Sequence, residues 1–241
     1  MVRGLSAVLA VFAAALAYFL IAPSLAAPSS EETAVFVAGA AGLVAVAACG
    51  LALAGAWNEP FVLLMLVLGA GIVGACLTDV DAPAVENVTK AVAASALGLL
   101  LAFALRSPTA FLGVALLVAG IDLWSSLAGP AETLQTSSGA IDALGFAFPM
   151  WGVEGSAVEV GISSLVFLGF FAGCASRFAF RRTLTGAAML LALVAAVALA
   201  VKVDRTVPAT AALSLAVLLP NLDRIGPALR AERRNARFAR V

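Results

Sequence analysis

Asp122 is the one acidic residue set deep inside an apolar run, in Val118-Ala119-Gly120-Ile121-Asp122-Leu123-Trp124. An unpaired carboxylate so placed is expected to face water, which makes it a functional candidate. Two further stretches stand out from an Ala- and Leu-rich background, Gly161-Ile162-Ser163-Ser164 and Val207-Pro208-Ala209-Thr210. Their serine and threonine hydroxyls can donate and accept hydrogen bonds, while Pro208 lacks an N–H and leaves nearby backbone groups without a helical partner. The chain has no histidine, which excludes Ser-His-Asp and Cys-His nucleophiles, His-ligated zinc and His-held haem. Chemistry must then come from carboxylates, hydroxyls or thiols. Cys49, Cys76 and Cys174 lie in apolar runs without a C-x-x-C spacing, so they read as buried small hydrophobes, and no metal or cofactor is expected. Glu159 stands near the start of its run, and Asp204 sits between Lys202 and Arg205, where a solvated charge cluster explains it.

The elements that must position these residues follow from composition. Of 241 residues, 63% are hydrophobic and 12% charged, with a mean hydropathy of +1.10. That is about half the charge of a soluble domain and the signature of an integral membrane protein. Equal numbers of basic and acidic residues, fourteen each, leave no basic excess for nucleic acid. A helix needs about 20 apolar residues to cross a bilayer. Eight runs qualify, at 5–26, 33–57, 61–78, 88–105, 109–128, 156–178, 183–201 and 206–222. They lack the alternation of barrel strands, so the expected fold is an all-α, polytopic helical bundle of about eight transmembrane helices. It divides into an amino-terminal four-helix region at 1–108, a core region at 109–222 and a basic tail at 223–241. The first run, with Arg3 before it and Ser24-Leu25-Ala26 before Ala27, would also suit a secretory signal.

Orientation follows Lys and Arg in short loops. With the amino terminus in the cytoplasm, Arg3, Arg106, Arg177, Arg181, Arg182 and six tail arginines fall inside, and Lys90, Lys202 and Arg205 fall outside. This bias suits eight retained spans with both termini cytoplasmic. The tail also suits attraction to anionic headgroups. The 129–155 connection has no Lys or Arg and belongs outside. Its Phe146, Phe148, Pro149, Met150 and Trp151 suit an interfacial anchor or a lid over a cavity. An Ala, Val, Leu and Arg bias with little Lys suits a prokaryote of high genomic G+C content, and the expected location is its inner membrane.

In order, the three motifs resemble the presenilin and signal peptide peptidase family, the GxGD-type intramembrane aspartyl proteases. That family carries a first aspartate, a Gly-x-Gly-Asp motif one span later, and a Pro-Ala-Leu motif at the start of its last span. Gly120-Ile121-Asp122-Leu123 matches the first, with Ile121 in place of the usual tyrosine; Gly161-Ile162-Ser163-Ser164 falls on the second; and Pro208-Ala209-Thr210 falls on the third. The likeness covers about 110–222. It implies a presenilin-like fold, Asp122 and position 164 facing each other across a watered cavity, and transmembrane-helix substrates contacted by Gly161, Ser163, Pro208, Ala209 and Thr210. It also implies strand addition by an extended substrate to the proline turn or to the stretch before the second motif.

The largest departure is chemical. Ser164 stands where the second catalytic aspartate belongs, and aspartyl proteolysis needs two carboxyl groups sharing a proton. Serine is a poor base near neutral pH, so this chain is expected to be proteolytically inactive. If the run were helical throughout, Glu159 would lie roughly 140° around the helix from position 164 and could not substitute without a helix break. A natural relative that lost its aspartate and a deliberate replacement both fit; the isolated change within a good motif favours the second. Eight spans instead of nine, and serine for glycine at Ser163, are lesser departures. The charge bias places the loop after Asp122 as in signal peptide peptidase, opposite to presenilin. The competing class is non-enzymatic: a proton-coupled transporter, or a scaffold that binds helices through Asp122.

Overall fold

The computed structural model describes residues 2–56, 59–77, 82–128, 145–152, 157–203 and 207–238. The described chain is mostly helical: α1 (Val2–Ile21), α2 (Glu31–Ala56), α3 (Pro60–Leu77), α4 (Pro83–Ala104), α5 (Pro108–Ala128), β1 (Gly145–Pro149), β2 (Ala157–Gly161), α6 (Ser163–Arg177), α7 (Arg182–Val203), α8 (Ala209–Leu218) and α9 (Leu222–Phe238). Every apolar run contains a helix. Within the described residues, α1, α2, α4, α5 and α7 are long and apolar enough to cross a membrane, which is compatible with an integral membrane protein. Proline opens α3, α4 and α5, a first-turn position where its missing N–H costs nothing.

Two expectations are corrected. The chain is not purely α: β1 and β2 form an antiparallel pair in which Gly145 lies opposite Gly161 and Ala147 opposite Glu159. Consequently the run expected as one helix over 156–178 is a strand to Gly161 followed by a helix from Ser163. Its opening, Ala157-Val158-Glu159-Val160, carries the β-branched alternation that favours a strand. The angular separation of Glu159 from position 164 therefore does not apply, because the two residues lie in different elements. The last run is likewise broken, with α8 ending at Leu218 and a 3-10 turn over Leu219–Asn221 leading to α9.

The aromatic cluster expected as an anchor or lid is in part core. Phe146 and Phe148 are fully buried, and Phe148 stacks on Phe19 of α1 and on Phe146. Trp151 donates its indole N–H to the Tyr18 hydroxyl at 3.3 Å. The rest of the connection, 129–144 and 153–155, lies outside the described residues, as does Asp204. Of the three cysteines, Cys49 and Cys174 are buried as expected, but Cys76 is exposed.

Helix α6 is the hub, packed against α4, α2, α7 and α8. Its contact with α4 depends on missing side chains. A Cβ at Gly98 would stand 1.9 Å from the Val166 carbonyl oxygen, and one at Gly169 would stand 2.4 Å from the Ser95 carbonyl oxygen. The small-residue stripe in the sixth run is thus a packing face on which two backbones touch. Helix α5 is peripheral, packing on α8 and α9 and leaving Leu116, Leu117, Ile121, Trp124 and Leu127 exposed.

Candidate functional site

Two of the helices start inside the bundle. The α6 run is interrupted by the strand that ends at Gly161, and α8 is preceded by Pro208 in its N-cap position. A helix start leaves N–H groups without intrahelical acceptors, and a capping side chain normally accepts from the second or third helical residue. Pro208 has no side-chain acceptor. Asp122 supplies it from α5: Oδ2 accepts the Thr210 N–H at 2.8 Å and the Ala211 N–H at 2.9 Å. The carboxylate also lies at the positive end of the α8 dipole. Ser214 Oγ donates to the Thr210 carbonyl at 3.0 Å, and Thr210 itself is buried. Within the described residues Asp122 Oδ1 has no hydrogen-bond partner, so one carboxylate oxygen holds the helix start and the other stays open.

A cavity of about 240 Å³ lies beside this cap, and Asp122, Gly161, Ser163, Ser164, Ala209 and Thr210 all line it. Residues 88 positions apart in sequence, Asp122 and Thr210, are thereby brought within one hydrogen bond. Ser164 lies in the first turn of α6 and is largely buried, at 6% exposure. It makes no side-chain hydrogen bond within the described residues and lines the cavity. Pro208 shapes the α8 start without lining the cavity.

Sequence reasoning missed Ser126, which also lines the cavity. Its signal was its spacing four residues after Asp122, on the same helical face. It also missed Asn87 of α4, and it read Lys90 only as an orientation signal. Asn87 Nδ2 donates to the Ala147 carbonyl at 2.7 Å and Lys90 Nζ to the Gly145 carbonyl at 3.2 Å, while Lys90 also pairs with Glu86 at 2.5 Å. These bonds cover the outer edge of β1. Because opposed residues in an antiparallel pair either exchange both bonds or neither, Glu159 and Gly161 turn their backbone N–H and C=O groups to the outer edge of β2. No hydrogen bond from another element reaches that edge within the described residues. It runs directly into Ser163 and Ser164.

No group of three or more carboxylates and thiols able to hold a metal ion occurs within the described residues. Within the described residues the arrangement offers one carboxylate oxygen without a partner, several hydroxyls and a strand edge that no other element pairs. Comparison of the chain with protein-family models, with curated proteins and with solved structures finds no match.

Proposed function

We propose that this chain is a presenilin-like intramembrane aspartyl protease homologue that takes up transmembrane helices and, with serine at position 164, holds them without cutting. It resides in a prokaryotic cytoplasmic membrane with about eight spans and both termini in the cytoplasm. The observation that carries this reading is the single cavity on which Asp122, Ser164 and Ala209-Thr210 converge beside the open edge of β2.

In aspartyl proteolysis one carboxylate activates water while a protonated partner polarises the scissile carbonyl. Asp122 Oδ1 can orient a water as the first group. Ser164 can hydrogen-bond that water or a carbonyl, but its alcohol cannot hold and return the proton that the second carboxyl shares. A substrate helix must unwind to expose its peptide bonds, and strand addition to β2 would satisfy the groups it frees.

A specific observation favours a second reading. Asp122 is already engaged by the Thr210 and Ala211 amides, as a purely structural cap in a non-enzymatic transporter or helix-binding scaffold would be. Cleavage of a helical membrane substrate in detergent decides between them. Ser164→Asp should acquire cleavage that Ser164→Asp plus Asp122→Asn lacks, since asparagine keeps an acceptor for the two amides while removing the carboxylate. Folded Ser164→Asp protein that cuts none of several substrates overturns the protease reading.

A further inference from the structure

At the end of the bundle away from the β1–β2 pair, two apolar crevices flank the last turn of α6. One, of about 340 Å³, lies between Leu99 and Phe103 of α4 and Gly173 and Arg177 of α6. The other, of about 420 Å³, lies between α2, α6 and α7, and its α7 wall extends from Arg182 to Leu190, roughly 12 Å along the helix axis. Both volumes fall in the range of about 300–1,000 Å³ typical of small-molecule sites. Ser176 and Arg182 line both crevices. The two therefore meet at a common mouth, where Arg177 and Arg182 stand.

The two guanidinium groups are held in place without being neutralised. Arg177 Nη1 donates to the Phe103 carbonyl at 2.8 Å and the Ala102 carbonyl at 3.4 Å, and Arg182 Nη2 donates to the Ser176 carbonyl at 3.4 Å. These acceptors lie at the carboxyl-terminal ends of α4 and α6, each worth about half a negative charge. Two full positive charges against two such ends leave a surplus of about one. No carboxylate pairs with either arginine within the described residues.

We propose that this mouth binds one anionic glycerophospholipid, its phosphate on Arg177 and Arg182 and its two acyl chains in the crevices on either side of α6. Twin apolar slots under a shared cationic rim match a headgroup with two tails, and guanidinium recognises phosphate by paired hydrogen bonds. The inference rests on the membrane reading above, with this end in the cytoplasmic leaflet, and is independent of proteolysis.

The test is thermal unfolding and native mass spectrometry of the full chain in detergent. Phosphatidylglycerol, phosphatidylcholine or inorganic phosphate is added. Phosphatidylglycerol should raise Tm and remain bound at one per chain, while the other two should not. Arg182→Gln, which sacrifices only one long contact, should weaken retention by at least about fivefold, as expected for one arginine at a membrane surface. Ala187→Phe, which fills the α2–α6–α7 crevice, should weaken it too, and Arg230→Gln on α9 should leave it unchanged. Equal effects of both lipids, equal stabilisation by inorganic phosphate, or equal loss in Arg230→Gln overturns the site. Alkaline carbonate extraction from membranes checks the membrane reading separately: a chain that stays in the pellet but ignores phosphatidylglycerol defeats the lipid site alone.

Discussion

Asp122 performs in this fold a task that a local residue performs in most helices. The cap of α8 should be a side chain just before Ala209, yet that position is Pro208, so the acceptor comes from a helix 88 residues away. Losing a capping acceptor costs about 0.5–2 kcal/mol, and leaving a donor unpaired in a buried setting adds to it. Asp122→Ala should therefore lower stability by about 2 kcal/mol, read as a shift in the denaturation midpoint, whereas Asp122→Asn should recover most of the loss. Equal stability of the alanine and asparagine variants would show that the two amides find other partners. The comparison separates the structural part of Asp122 from any chemical one, which a cleavage assay with alanine alone could not do.

At the scale of elements, the α4–α6 contact is governed by the absence of side chains. Gly98 has the Val166 carbonyl oxygen at the distance a Cβ would need, and the obstructing atom is backbone, which cannot rotate away. Gly98→Ala should separate the two helices and destabilise by an amount at or above the upper end of the about 1–3 kcal/mol typical of overpacking. Gly55→Ala, where a Cβ meets nothing within 4 Å, should be neutral or slightly stabilising through helix propensity. Melting both variants side by side checks the assignment, and a tolerated Gly98→Ala would contradict this packing. The same hub carries Ser164 at one end and Arg177 at the other, so its seating sets both the cavity and the charged rim.

For the whole molecule, the described part of the basic tail, α9, is a docked helix. Asp223 of α9 pairs with Arg181 at 2.8 Å, Arg224 donates to the Ala179 carbonyl, and Glu232 accepts from Thr109 Oγ1 at 2.7 Å and Thr109 N at 3.1 Å. The Thr109 hydroxyl first, and its amide with it, hold the Glu232 carboxyl below the ordinary glutamate value. A carboxyl depressed on folding contributes stability above its unfolded pKa and loses it as pH falls through the folded one. The Glu232–Thr109 contact should accordingly weaken as pH falls below the ordinary glutamate value of about 4.3, loosening this stretch of α9 from α5. Spin-label distances between α5 and α9 would register this, and Glu232→Gln should flatten that part of the pH response. An unchanged distance down to pH 3 would refute it.

Composition and run length determined most of the helical plan, because long apolar runs without period-2 alternation satisfy their own backbone polar groups most completely as helices. They also picked out Asp122, since a lone carboxylate in such a run is conspicuous by its solvation cost. The β-branched stretch before Gly161 was legible as a place where a strand could pair, but that it pairs with Phe146 and Phe148, breaking the run at Gly161-Ile162, was decided by the burial of those two rings. Composition and run length did not find Asn87 or Ser126, nor the bonds of Lys90 to β1, because the meaning of such polar residues depends on which neighbours arrive. The capping of α8 by Asp122 was decided only in three dimensions. Hydrogen bonds act over about 3 Å, and no spacing along the chain announces that residues 122 and 210 will come that close.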